Sequence, residues 1–147
     1  MENSYENQSN VKKYLLIGLL VTAVVILITF IVLNIKKKNF LQYLLDNEFE
    51  VRENDTITRI TFEESDKLFD VFMNIIIDKL DSEGVVQSST VADRLPFNYS
   101  FFSKKLSNKD IPMIEKVTDV EIMDKNLSML TYKDDVLESN LVFNLVE

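Results

Sequence analysis

From Tyr14 to Ile35 the chain reads YLLIGLLVTAVVILITFIVLNI, with no charged side chain between Lys13 and Lys36. At 1.5 Å per residue, 22 residues make a helix of about 33 Å, matching a hydrocarbon core of about 30 Å. Valine, isoleucine and threonine weaken an isolated helix in water. In lipid every backbone group must find its partner within the segment, so helix is the expected state. Lys12, Lys13 and Tyr14 at one end, and Lys36, Lys37 and Lys38 at the other, are placed to meet the membrane interfaces. The run exceeds the 7–15 apolar residues of a signal peptide and ends Val32-Leu33-Asn34-Ile35 without small residues for cleavage, so a retained anchor is expected.

Beyond the span the pattern becomes that of a water-soluble fold. Residues 1–13 read as a polar tail, 14–35 as the transmembrane helix, 36–47 as a juxtamembrane stalk helix and 48–147 as a small acidic domain. In the stalk, Phe40, Leu41, Leu44 and Leu45 fall at helical spacing. Glu48–Glu53 and Thr56–Phe62 alternate as two strands around Asn54-Asp55, a hairpin turn. Thr61-Phe62-Glu63-Glu64 matches a capping box, and Asp66 adds charge suited to a helix start. The stripe Leu68, Phe69, Phe72, Ile75, Ile76 and Leu80 then predicts a helix over Glu63–Glu83, ended by Gly84. Thr90 to Leu95 predicts a short helix stopped by Pro96. Beyond Pro112, strands are expected at Val117–Asp124, Leu127–Tyr132 and Leu141–Val146. The expected fold is α+β: an antiparallel sheet of four or five strands packed against one long helix.

Composition narrows the chemistry. There is no cysteine and no histidine, which excludes disulfides, thiolate zinc sites, cysteine nucleophiles and imidazole bases. Residues 1–38 carry five lysines against Glu2 and Glu6, a net of +3, while residues 39–147 carry 11 basic and 22 acidic groups, a net of −11. A domain this acidic is repelled by phosphate backbones, so nucleic acid is not an expected partner. Lysine outnumbers arginine 13 to 3, with asparagine and isoleucine present 13 times each, a bias of AT-rich coding sequence such as that of a low-GC bacterium or a large DNA virus.

Candidate chemistry is sparse. The paired carboxylates Glu63-Glu64 and Asp134-Asp135 sit where a helix start and a turn already explain them. No calcium loop, nucleophile elbow or phosphate-binding glycine loop occurs, and no metal or cofactor is expected. The aromatic stretch Phe97, Tyr99, Phe101 and Phe102, followed by Lys104-Lys105, reads either as the face of a buried strand or as a contact loop for a partner or membrane. Within the span, Gly18 and Thr22 have the small-xxx-small spacing of a helix–helix contact, and so of a homodimer.

Lys36, Lys37, Lys38 and Arg52 outnumber the two lysines on the amino side, which favours a cytosolic or internal domain. Sequons at Asn7, Asn54, Asn98 and Asn126 would become glycosylation acceptors in the opposite orientation. The expectation is a single-pass, non-enzymatic interaction or assembly module with the bilayer and an unidentified protein as partners. In a large DNA virus it would be a virion membrane protein, and in a bacterium an envelope component. A membrane-anchored enzyme with a site built from Asp, Glu, Lys or Ser, and an entry component inserting Phe97–Phe102 into a membrane, are the alternatives.

Overall fold

The computed structural model describes residues 2–65, 68–109, 111 and 115–146, with the backbone alone for residues 2–10. Asp66 and Pro112, used above as a helix-start charge and a boundary, lie outside the described residues. Among the described residues one helix, α1 (Glu2–Leu45), is followed by eight strands: β1 (Phe49–Glu53), β2 (Thr56–Glu64), β3 (Val71–Leu80), β4 (Val86–Ser100), β5 (Lys105–Ser107), β6 (Val117–Met123), β7 (Asn126–Lys133) and β8 (Val136–Leu145). The chain divides into two compact units, Met1–Lys36 and Lys37–Glu147.

In the second unit each strand pairs antiparallel with the next, and β8 returns to β1, closing an up-and-down barrel. The closing seam is thin: only Phe49↔Leu145 and Glu50↔Asn144 join β1 to β8, whereas β2 and β3 pair at nine positions. An eight-stranded barrel has an interior just wide enough for its own side chains. Phe49, Ile60, Phe62, Val71, Met73, Phe97, Leu106, Val120, Leu127, Met129 and Phe143 fill it. Leu44 of α1 joins this cluster fully buried, and Phe40, Leu41, Tyr43 and Leu45 pack against it. A helix meets the inward side chains of a barrel only at an opening in its wall, so the end of α1 stoppers one.

The turns explain how so few glycines suffice. Asn54, Asp124, Lys125, Asp134 and Asp135 all hold left-handed backbone, with φ between 49° and 72°. Such turns match the right-handed twist of the strands they join, and asparagine and aspartate tolerate the conformation best among residues with a Cβ. Gly84, at φ 79°, serves the β3–β4 connection.

Three expectations are overturned. The domain is an eight-stranded closed barrel, not a four- or five-stranded sheet packed on a long helix. Glu63 and Glu64 end β2, Val71–Leu80 form β3 and Asp81–Glu83 belong to the turn after it, while Thr61 of the supposed capping box pairs with Asn74 across β2 and β3. The reason lies in β3, which is buried on both faces: Val71 and Met73 enter the core, and the alternate positions Asn74, Asp78 and Leu80 are buried as well. A strand covered on both sides reads as a continuous apolar run, and a helix-spaced stripe can be picked from it. The β-branched Ile75-Ile76-Ile77 is the feature that favours strand. Thr90–Leu95 is likewise strand, within β4.

Candidate functional site

The segment Val11–Leu45 of α1 is long and apolar enough to cross a membrane, and its most apolar stretch is wholly unburied. The first unit therefore anchors the protein to a bilayer by a single helix. Its polar side chains bond to their own backbone: Thr22 Oγ1 donates to the Gly18 carbonyl at 2.9 Å, Thr29 Oγ1 to Val25 at 2.8 Å and Asn34 Nδ2 to Phe30 at 2.8 Å. That pattern leaves few unpaired donors for lipid to solvate. Gly18 and Thr22 lie one turn apart, and a Cβ added at Gly18 would meet nothing within 4 Å. Lys12, Lys13, Tyr14, Lys36 and Lys38 are exposed.

Lys37 is used differently. Its Nζ lies 2.5 Å from Asp70 Oδ1 and 5.5 Å from the Phe101 ring centroid. Asp70 Oδ2 accepts the Tyr99 N–H at 2.7 Å, so one carboxylate ties the stalk to β4. The stretch Phe97–Phe102 is divided by this arrangement. Phe97 is fully buried in the core. Tyr99 and Phe101 are half-buried, with Tyr99 stacked between Phe40 at 5.3 Å and Phe101 at 5.4 Å. Phe102 alone is fully exposed.

A second apolar region lies on β8. From Val136 to Phe143 this strand pairs with β7, while on its other side only Asn144 and Leu145 meet β1. Its free edge carries exposed Val136, Leu137, Leu141 and Val142, which occupy both faces of the strand. Of this edge the sequence yielded Leu141–Val146. The signal missed was the alternation continuing back through Val136-Leu137-Glu138-Ser139.

Several charged groups are paired across strands. Asp78 is fully buried and salt-bridged to Arg59 on β2, with one carboxylate oxygen left unpartnered. The Ser89 hydroxyl, followed by the Arg59 guanidinium, holds its carboxyl below the usual range against the opposing effect of burial. Lys105 Nζ lies 2.5 Å from Asp119 Oδ2, and that hydrogen bond pushes the lysine up. Beside this pair, Lys109, Val117, Asp119, Tyr132 and Asp135 line a cavity of about 160 Å³. Enclosed ligand sites run from roughly 300 Å³ upward. Glu63 bonds Arg94 at 3.0 Å, and Asp134-Asp135 form a turn from which Asp135 alone reaches that cavity, so neither adjacent pair acts there as a pair. No group of three potential metal ligands occurs among the described residues.

The sequons also separate. Asn54 sits in an exposed turn, whereas Asn98 Oδ1 accepts the Asp70 N–H at 3.2 Å and Asn126 Oδ1 accepts the Leu145 N–H at 3.4 Å. The side chain of Asn7 lies outside the described residues. Compared with models of protein families, with curated proteins and with solved structures, the chain matches none.

Proposed function

We propose that this protein is a membrane-tethered assembly module whose barrel recruits a partner protein through the free edge of β8. The observation that carries this reading is the edge itself: among the described residues, seven of β8 pair with β7 and have no strand on the other side, with apolar side chains on both faces. An unpaired edge presents a row of N–H and C=O groups that another extended strand satisfies, and proteins usually protect such edges with lysine, proline or a bulge. Here the strand reads VLESNLVFNL, without lysine or proline, and its one charge, Glu138, is engaged by Lys116 at 2.8 Å. The register shift at Thr131/Tyr132 leaves one extra residue on β8, Glu138, so a single bulge is the protection this edge carries.

The module acts by binding and not by catalysis, in keeping with charged groups tied into pairs at β2–β3 and β5–β6. The lysine count around the span favours a barrel on the cytosolic or internal side of the membrane. Protease protection of membrane-bound protein tagged at Glu147 tests that orientation: loss of the tag without detergent puts the barrel outside.

Photo-crosslinkers placed at Leu141 and Val142 in native membranes test the edge. Discrete adducts there, lost on pairing Leu141→Lys with Val136→Lys at unchanged circular dichroism, support it. Adducts no stronger than those from a crosslinker at exposed Lys79 on β3 refute it.

A further inference from the structure

We infer that the strand docked on the β8 edge is β8 of a second copy of this chain, so that two barrels join in one antiparallel sheet about a twofold axis. The pairing depends on β8 being a docking edge and adds what docks there. A second strand of the same barrel serves as the comparison. β4 and β8 share a closing pattern, Leu95-Pro96-Phe97-Asn98 and Leu141-Val142-Phe143-Asn144. In each, the phenylalanine is buried and is the last residue paired with the preceding strand, as Val71↔Phe97 and Leu127↔Phe143. The asparagine opens the pairing with the following strand, as Asn98↔Ser107 and Glu50↔Asn144. Among the described residues, each strand therefore begins with a stretch paired on one side only, Val86–Phe97 in β4 and Val136–Phe143 in β8.

These equivalent edges are guarded differently. In β4, register shifts leave Gln87 and Ala92 unpaired, Pro96 has no N–H to offer, and the Asp93 carboxylate accepts the Arg94 N–H at 2.8 Å. Its exposed residues from Gln87 to Thr90 are all polar. Bulges, proline and charge are the devices that keep an edge from pairing. β8 has one bulge and exposes Val136, Leu137, Leu141 and Val142. Within one architecture, β4 is built as a closed edge and β8 as an open one.

Charge selects the occupant. The barrel unit is strongly acidic, so an unlike partner steered to it would bring lysine or arginine to exposed carboxylates. Between Val136 and Phe143 there is one carboxylate, Glu138, and Lys116 holds it at 2.8 Å. Ser139–Val146 is one of the three longest charge-free stretches beyond Asn39, with Gly84–Ala92 and Leu95–Ser103. Two acidic copies meet with least repulsion at such a stretch. The edge is also self-complementary. Leu137 and Val142 pair with Tyr132 and Ser128 of β7, so they share one face of the sheet. An antiparallel register about the midpoint of Val136–Phe143 sets Leu137 of each copy opposite Val142 of the other, and Glu138 opposite Leu141. Apolar side chains then meet across the seam on the same face, and no charge faces its like. Anchoring both copies in one bilayer raises their effective concentration at that seam.

The chain contains no cysteine, so introduced thiols report contacts without background. Full-length Leu137→Cys and Val142→Cys chains with different tags would be reconstituted together in vesicles and oxidised, with Val91→Cys on β4 as the control. The expected result is a mixed disulfide between the two β8 variants, formed several-fold faster than any dimer containing Val91→Cys. The cysteine-free parent is expected to be dimeric by light scattering in detergent. It should become monomeric when Leu137→Lys and Val142→Lys are combined at unchanged circular dichroism, and stay dimeric with Gly18→Ile. Cross-linking at β8 no faster than at Val91 would overturn the pairing. So would a dimer that survives the two lysines and is lost with Gly18→Ile, by assigning association to the span. Photo-adducts from β8 to a different protein alone would overturn the second copy and leave the docking edge standing, whereas β8 adducts no stronger than the Lys79 control remove both.

Discussion

Two stretches of this chain are built from nearly the same residues and adopt opposite structures. Val21 to Val32 (VTAVVILITFIV) is helix, and Val71 to Leu80 (VFMNIIIDKL) is the central strand β3. Both are rich in β-branched side chains, which favour strand in water. The difference is what stands ready to satisfy the backbone. In α1 no neighbouring strand contributes, the span is charge-free for 22 residues, and lipid offers no hydrogen bonds, so the backbone must close on itself. In β3 the run is interrupted by Asn74 and Asp78, and strands on both sides supply partners at nine and ten positions. Propensity was decisive only where solvent and neighbours left it a choice.

Substitutions can break either side of that comparison. The largest effect is expected in the barrel interior. Phe49→Ala removes a fully buried ring from the core and should cost about 3–5 kcal/mol, read by urea unfolding of the detergent-solubilised protein. Next comes the span: Ile26→Arg places a charge near its centre and should raise the insertion free energy by about 3 kcal/mol, seen as loss of alkali-resistant membrane association.

Smaller is the polar interruption of β3. Arg59→Met removes the cation paired with the buried Asp78 carboxylate. The loss should be about 2–3 kcal/mol, discounted because Arg59 keeps a third of its side chain in water. Its pH dependence is a sharper test. Asp78 titrates below the ordinary carboxylate value of about 3.9, so its contribution is present above that pH and lost as pH falls through the lower folded value. Asp78→Asn should be less stable than the parent at neutral pH, with the gap narrowing as acid titrates the parent below about pH 4. The smallest effect belongs to Val91→Thr on the exposed start of β4, expected within about 0.5 kcal/mol, since no buried contact is removed.

The same physics sets what could be read from residues alone. The span was legible because lipid enforces one answer on a long apolar run. β1, β2, β6 and β7 were legible because each has an alternating pattern beside an Asn- or Asp-containing turn, as at Asn54 and Asp124. β3 was not, because burial on both faces erases the alternation. The exposed first nine residues of β4 were not, because they pair with β3 yet carry no buried face to mark them. At the stalk, the lysines were visible as a cluster, but nothing local distinguishes Lys37, which bonds Asp70 33 residues away, from Lys36 and Lys38. Phe102 stood out only as part of an aromatic stretch. Its separation from Phe97 required the strand to be placed.

The left-handed turns have an evolutionary consequence. Lys125 holds φ 72° without the short polar side chain that eases this conformation, which costs a residue with a Cβ roughly 1–2 kcal/mol. Its carbonyl, which accepts the Tyr43 hydroxyl at 3.1 Å, would survive replacement by glycine. A single codon change therefore separates this barrel from a sturdier version. That reserve is the kind of margin a lineage can draw on when a mutation at a binding edge weakens the fold.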